Sequence, residues 1–167
     1  GTLRVAADAN LGAAAGALLL DTGTLATTAS FSSSRTTTLG PGGGTFDIAP
    51  GTTLTMDGAI GGAGELTKTA RGTLVLAADN TYAGTTTISG GTLQIGNGGT
   101  TGTLGAGEVV NNAALAFNRS DTFAYGGAIS GTGALRQIGT GTTVLTGSNT
   151  YSGGTTIANG TLQLGDG

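Results

Sequence analysis

The chain contains no cysteine and no histidine among its 167 residues. The absence of cysteine excludes disulfides, thiolate metal sites and thiol nucleophiles, and the absence of histidine removes the commonest general base and metal ligand. We therefore expect no metal, no cofactor and no enzymatic activity.

Charged residues are scarce: they form 9% of the chain, against roughly 25% in ordinary domains. The net charge is −3, and the basic residues are scattered along the sequence: Arg4, Arg35, Lys68, Arg71, Arg119 and Arg136. Because they form no stripe that could neutralise a run of phosphates, the sequence disfavours nucleic-acid and anionic-membrane partners.

Long apolar runs are also missing. None approaches the roughly 18 residues of a membrane-spanning helix, and the N-terminus lacks a basic-then-apolar signal pattern. We expect any export signal or membrane anchor to lie outside this chain. The 35 glycines and few aromatic residues leave little side-chain volume for a deep core. Disorder is nevertheless not predicted, because Leu, Ile and Val recur in short alternating runs.

What the sequence does contain is an internal repeat. Residues Gly58–Gly98 align without a gap onto Gly127–Gly167, a shift of 69 positions. About 23 of the 41 aligned positions are identical, which is typical of a solenoid built by stacking one unit on its own copy. We interpret residues 1–167 as one segment with repeat copies at 58–98 and 127–167 and intervening rungs, or circuits of the solenoid, at 1–57 and 99–126.

Apolar residues alternate with polar ones over short stretches bounded by Gly or Asn, and each stretch predicts a strand with one buried face. The alternating pairs are Leu3/Val5, Leu18/Leu20, Phe46/Ile48, Leu54/Met56, Leu74/Leu76, Leu93/Ile95, Leu115/Phe117, Phe123/Tyr125 and Leu162/Leu164. The best helical candidate, residues 10–20, is interrupted by Gly12 and Gly16, so we do not favour a helix there.

Gly and Asn pairs between the strands could close antiparallel hairpins or turn the corners of a coil. Two spacings favour the coil. The 69-residue shift divides into three rungs of 23, and the first segment, from Gly1 to Gly58, is 21 residues longer than the matching one from Gly91 to Gly127, about one extra rung. We predict an all-β parallel β-helix of seven or eight rungs, with unpaired strand edges at both ends and the array continuing beyond them.

The residues Gly-x-Gly-x-Leu, Gly-Thr-x-Val-Leu, Asn-Thr-Tyr-x-Gly-x-Thr-Thr-Ile and Gly-Thr-Leu-Gln occur at Gly62–Gln94. They recur with small changes at Gly131–Gln163. This pattern resembles the passenger-associated transport repeat of bacterial autotransporters. The resemblance implies a right-handed, single-stranded parallel β-helix that is exported to the surface of a Gram-negative cell. It also implies a stalk or scaffold that aids secretion and adhesion, with neighbouring rungs of the parent passenger and its C-terminal β-barrel as partners.

Twelve residues are the repeat positions that we expect to build this scaffold: Asn80, Tyr82, Gly84, Ile88, Gly91, Leu93, Asn149, Tyr151, Gly153, Ile157, Gly160 and Leu162. We expect each Asn to cap a corner and each Tyr to cover the edge of a rung. The alternative, a carbohydrate-stacking pair formed by Tyr82 and Tyr151, is weaker because three rungs would separate them.

Other chemistry has little support. A β-helical carbohydrate-active enzyme would need two carboxylates roughly 5 to 9.5 Å apart, and Asp57 with Asp79 is the best pair one rung apart. A Ser-Lys hydrolase using Lys68 is formally possible, but nothing in the spacing recommends it. The calcium-binding pattern Gly-Gly-x-Gly-x-Asp fails because Leu66 stands where Asp is required.

A regular Thr-x-Thr ladder would suggest ice binding, and Thr85/Thr87 has the spacing. The corresponding pair in the second copy is Gly154/Thr156, which breaks the ladder. The hypothesis carried forward is a surface stalk of an autotransporter passenger, with the carbohydrate-active enzyme as its alternative and end-to-end self-association as a further possibility.

Overall fold

The computed structural model describes residues 1–166, and within them the regular structure is twenty β-strands and a short 3₁₀ helix at Asp8–Leu11. The strands are β1 (Thr2–Val5), β2 (Leu18–Leu20), β3 (Gly23–Thr27), β4 (Phe31–Ser33), β5 (Thr37–Leu39), β6 (Gly44–Ile48), β7 (Thr53–Met56), β8 (Ile60–Gly62), β9 (Leu66–Thr69), β10 (Thr73–Leu76), β11 (Thr86–Ile88), β12 (Thr92–Ile95), β13 (Val109–Asn111), β14 (Ala114–Phe117), β15 (Thr122–Tyr125), β16 (Ile129–Ser130), β17 (Ala134–Gln137), β18 (Thr142–Leu145), β19 (Thr155–Ile157) and β20 (Thr161–Leu164). Every alternating pair that predicted a strand lies in one of them.

The strands stack as a parallel β-solenoid of about eight rungs, which confirms the predicted fold class. Face 1 is the seven-stranded sheet β1-β3-β6-β9-β11-β13-β16, and face 2 is the seven-stranded sheet β4-β7-β10-β12-β14-β17-β19. The third face carries two three-stranded sheets, β2-β5-β8 and β15-β18-β20. Between β8 and β15 this face is formed by irregular segments, which still bond from rung to rung, as in Thr81 N–H to Ile60 O at 2.9 Å.

The core is a set of apolar ladders inside the solenoid. On face 2, Leu54, Leu74, Leu93, Leu115 and Leu135 stack in register and are all buried. These leucines all point into the core because the pleat directs every second residue inward and the strands are in register. Backbone bonds between rungs then hold together a chain that has few large side chains.

The prediction of three 23-residue rungs per repeat is wrong. Residues paired on neighbouring rungs lie 19 to 23 positions apart, as in Thr73 with Thr92 and Thr86 with Val109. Leu66 reaches Ile129 on the same face after three rungs and 63 residues. The remaining six residues of the shift carry the chain around the corner onto face 2.

The second repeat copy is therefore rotated by one face relative to the first. Strand β9 of face 1 corresponds to β17 of face 2, and β10 of face 2 corresponds to β18 of the third face. All faces offer the next strand the same parallel edge, so a copy can begin on any of them if the inward alternation is kept. The extra rung is confirmed. From β1 the chain completes two rungs and crosses two further faces before it reaches β8, whereas from β12 it completes one rung and crosses two further faces before it reaches β16.

We expected unpaired edges at both ends, and at the N-terminal end β1 and β2 are the outermost strands of their sheets. The edge of face 2 at this end is covered. The 3₁₀ helix Asp8–Leu11 contacts the first strand of that face, β4, and Leu11 and Phe31 both pack against the core. At the opposite end, β19 and β20 are the outermost strands of their sheets, and their Ile157 and Leu164 are exposed. Within residues 1–166, no helix has the length and apolarity to cross a membrane.

Candidate functional site

The two repeat asparagines make the same contact in both copies. Asn80 Oδ1 accepts the Ile60 N–H at 2.8 Å, and Asn149 Oδ1 accepts the Ile129 N–H at 3.0 Å. Asn80 is buried and also donates from Nδ2 to the Ala78 and Thr103 carbonyls, at 3.0 and 2.7 Å. Each Asn thus satisfies a strand amide of the preceding rung, a role close to the predicted cap.

The two repeat tyrosines also share a contact but lie in different surroundings. Tyr82 OH bonds to Thr86 Oγ1 at 2.7 Å, and Tyr151 OH bonds to Thr155 Oγ1 at 2.8 Å. Tyr82 lies wholly inside the core, so burial raises the pKa of its hydroxyl. The expectation that Tyr covers a rung edge is wrong at Tyr82, and a carbohydrate-stacking pair is not formed because this ring has no exposed face.

The repeat glycines stand where neighbouring rungs come closest. A Cβ at Gly84 would lie 2.5 Å from Gly64 O, and one at Gly153 would lie 2.3 Å from Gly133 O. Gly91 and Gly160 add a positive φ, of 67° and 61°, which residues with a side chain rarely adopt.

The apolar repeat positions differ in exposure between the copies. Ile88 and Leu93 are fully buried, whereas Ile157 is exposed and Leu162 is half-buried. The first copy lies between other rungs, and the second copy ends in the outermost strands. The twelve predicted positions therefore take structural places in two separate parts of the solenoid, and they do not converge on one site.

The two carboxylates considered for catalysis, Asp57 and Asp79, lie in different environments. Asp57 is exposed, and its register partner on the next rung is Ala77, two residues before Asp79. Asp79 Oδ1 accepts the Gly102 N–H at 3.1 Å and lies 3.8 Å from Arg119 Nη1. Its contacts thus stabilise the following corner, and no contact among the described residues joins it to Asp57.

Two buried arginines, which the sequence reading treated as scattered charges, hold the two longest loops. Arg35 bonds to both Asp8 carboxylate oxygens, at 2.9 and 3.1 Å, and donates to carbonyls of residues 8–16. Arg119 bonds to Asp121 and to the Gly102 and Thr100 carbonyls. These arginines lower the pKa values of Asp8 and Asp121 below the ordinary range, chiefly through the side-chain hydrogen bonds.

Of these two arginines, only Arg119 has a contact that the sequence could have suggested. Arg119 and Asp121 are two residues apart, a spacing that can form a local ion pair, and the Arg119 guanidinium also lies 4.9 Å from the centre of the Phe123 ring. Arg35 follows three serines and precedes three threonines, and its partners are 19 to 27 positions away. No local pattern indicates those contacts.

Lys68 is fully buried and replaces an apolar residue in the face 1 ladder between Phe46 and Ile88. Its Nζ donates to the carbonyls of Thr69, Ala70 and Gly90, at 2.6, 3.1 and 3.2 Å. Burial lowers the pKa of this amine to about 8, against an opposing influence from Asp47. Its bonded partners among the described residues are backbone carbonyls, so the Ser-Lys arrangement is not formed.

The threonine ladder must be followed along one face. Thr2, Thr24, Thr45, Thr67 and Thr87 stack in register on the outward side of face 1, and the next position is Val110. The break expected at Gly154/Thr156 was assigned to the wrong face, because those residues belong to face 2. The neighbouring column holds Arg4, Ala26, Asp47 and Thr69, so the paired Thr-x-Thr array is absent from these rungs.

A family model for the passenger-associated transport repeat matches residues 66–95 and 135–164. Both matches fall inside the predicted copies. Over 135 residues, which are 81% of the chain, the sequence is 48% identical to the adhesin BmaC autotransporter of Brucella suis biovar 1 (strain 1330). The matched part is 4% of that protein, so the chain spans a small fraction of its curated relative. No solved structure matches the chain.

The family match and the relative agree with the resemblance predicted from the sequence, and neither supports the enzyme alternative. The same type of protein accounts for the repeats, the parallel stacking and the shared contacts of the two copies. The chain is a β-solenoid of the autotransporter-passenger type, built in part from two passenger-associated transport repeats.

Proposed function

We propose that this solenoid is a stalk of a surface-exposed autotransporter passenger, that its repeats support export through the outer membrane, and that the stalk serves adhesion. The observation that carries the proposal is the agreement of the Asn80 and Asn149 contacts on different faces. A unit that forms the same contacts on whichever face it begins can be added rung by rung, as a long stalk requires.

The proposed partners are neighbouring rungs of the same passenger and its C-terminal β-barrel. Parallel strands β19 and β20 offer hydrogen-bonding edges on which another rung can stack. Each rung that folds on such an edge outside the cell would oppose backward sliding of the chain. The adhesin relative supports a location at the cell surface and a non-catalytic role.

The experiment compares two deletions that each remove one rung in register, made in a full-length autotransporter that carries this chain. Deletion of residues 73–91 joins Gly72 to Thr92, which is the register partner of Thr73, and removes Asn80 and Tyr82. The control deletion, residues 37–59, joins Thr36 to Ile60, the register partner of Thr37. It lies outside the family match and keeps the Ile60 amide that Asn80 contacts.

We expect the deletion of residues 73–91 to lower the surface-exposed fraction of passenger more than the control deletion, at equal total expression. Protease accessibility on intact cells measures that fraction. Equal display of both variants and the parent would overturn the transport role. An equal loss in both variants would also overturn it, because rung number and not the repeat would then control export.

A further inference from the structure

The chain contains two Asn-Gly dipeptides, Asn97-Gly98 and Asn159-Gly160. In such a dipeptide the glycine amide nitrogen can attack the asparagine side-chain carbon, since glycine has no side chain to hinder the approach. The reaction needs that nitrogen close to the side-chain amide and free of other hydrogen bonds. All four residues are exposed, so the difference between the two sites lies in the bonding of the glycine amide.

At the second site the reacting groups are already in contact. The Gly160 N–H donates to Asn159 Oδ1 at 3.0 Å, and Oδ1 is bonded to the carbon that the nitrogen must attack. Asn159 is held by its own N–H, which donates to Gln137 O at 3.4 Å. Gly160 has a φ of 61° and forms the corner between β19 and β20.

At the first site the fold holds the nucleophile elsewhere. The Gly98 N–H donates to the Asn118 carbonyl of the next rung at 2.8 Å. That rung is fixed by Arg119, which bonds to Thr100 and Gly102 on the same loop. The Gly98 amide must therefore break an inter-rung hydrogen bond before it can react.

We propose that Asn159 deamidates spontaneously in the folded chain and that the fold protects Asn97 from the same reaction. The Gly160 nitrogen forms a bond to Asn159 Cγ and loses its proton, and the Cγ–Nδ2 bond breaks to release ammonia. The resulting succinimide takes up water at either carbonyl and opens to aspartate or isoaspartate. The net change is asparagine plus water to an acidic residue plus ammonia, and no oxidant or reductant is needed.

The product alters the corner that follows β19. It adds one negative charge, and the isoaspartyl form adds a backbone carbon between β19 and β20. The first repeat copy has Gly90-Gly91 at this corner and cannot undergo the reaction. Asn159→Gly is therefore a matched variant, because it gives the second copy the sequence that the first copy already accommodates.

The test incubates the whole folded chain at mildly alkaline pH and follows both dipeptides by peptide mapping with mass spectrometry. A denatured sample supplies the rate of each dipeptide without the fold. We expect the two sites to react at similar rates when denatured. In the folded protein we expect Asn159 to react about tenfold faster than Asn97, because the Gly98 amide must first break an inter-rung hydrogen bond, whereas the Gly160 amide bonds to the side chain that it attacks.

Asn159→Gly should remove the fast phase of ammonia release and leave the Asn97 rate unchanged. Equal rates at the two sites in the folded protein would overturn the proposal. So would a folded-state rate at Asn159 that falls as far below its denatured rate as the Asn97 rate does. Both comparisons use the unmodified chain, so they do not depend on how the variant folds.

Discussion

Lys68 and Gln137 hold the same position in the two repeats, and each caps the carbonyl two residues further along. Lys68 Nζ lies 3.1 Å from Ala70 O, and Gln137 Nε2 lies 3.0 Å from Gly139 O. Both side chains are buried. Ala70 has a φ of 55°, a strained value for a residue with a side chain, so the donor stabilises a sharp corner at this point.

The same contact recurs at the other repeated corner. Gln94 Nε2 donates to Gly96 O at 2.9 Å, and Gln163 Nε2 donates to Gly165 O at 3.0 Å. Four corners on three faces thus use a long side chain that bends back to its own backbone. An uncharged amide does this in three of them, and Lys68 is the charged member of the four.

Lys68→Gln should therefore stabilise the solenoid. The amide keeps a donor near the Ala70 carbonyl, as Gln137 shows at the equivalent position, and it removes a buried ammonium. We expect the free energy of unfolding at pH 7 to rise by roughly 1–2 kcal/mol. Chemical denaturation measures it. Lys68→Met, which leaves the carbonyls without a donor, should not give this gain, and a larger gain from Met than from Gln would contradict the capping role.

The titration of Lys68 should make stability rise with pH in the parent protein. Its pKa falls from 10.5 in the unfolded chain to about 8 in the folded one, so between these values the unfolded state binds more protons. We expect the free energy of unfolding to increase by roughly 1.4 kcal/mol per pH unit at most between pH 8 and 10. Lys68→Gln should abolish this rise, and an unchanged slope would contradict the assignment. Below about pH 8 both states are protonated and the effect vanishes.

Asn80 should contribute more to stability than Asn149. Replacing Asn80 with Ala leaves the buried Ile60 amide and the carbonyl of half-buried Thr103 without this partner. We expect a loss of about 2–3 kcal/mol for Asn80→Ala and about 1 kcal/mol for Asn149→Ala, whose side chain makes one such bond and is half-buried. Equilibrium unfolding in urea tests the order. Equal losses for the two variants would contradict the prediction that the deeper burial of Asn80 makes its hydrogen bonds contribute more to stability.

Alternation was enough to predict nine of the strands, because it depends only on which side chains point inward. The parallel coil was predicted instead from the 69-residue shift and the extra rung. Phe46 with Ile48 and Leu115 with Phe117 fix strand positions in this way. The face of each strand depends on rung length, and rung length depends on loops. The rung from Thr86 to Val109 has 23 residues and the one from Thr73 to Thr92 has 19, and nothing local in the sequence marks that difference.

The burial of Lys68 and Arg35 could not be predicted from the sequence, for a related reason. Lys68 sits between Thr67 and Thr69 in a strand where a lysine ordinarily points outward. Its inward position follows from the register with Phe46 and Ile88, which is a property of neighbouring rungs. Arg35 likewise finds Asp8 only because the loop of the first rung folds back over the second.

Arg119→Lys should free the loop that this arginine clamps. A lysine cannot reproduce the two-pronged contact with Asp121 while also bonding the Thr100 and Gly102 carbonyls. We expect a loss of about 2–3 kcal/mol in the free energy of unfolding. Amide exchange should also quicken in the loop before β13, which hydrogen exchange with mass spectrometry measures.

The control is Arg136→Lys, since Arg136 is exposed on β17 and the change should stay within about 0.5 kcal/mol. If both substitutions changed stability equally, the loss would come from charge or side-chain length in general and the clamp would have no special role. If Arg119→Lys destabilised the protein but left exchange in the loop unchanged, Arg119 would act through its packing on Phe123, 4.9 Å away, and the carbonyl contacts would contribute little.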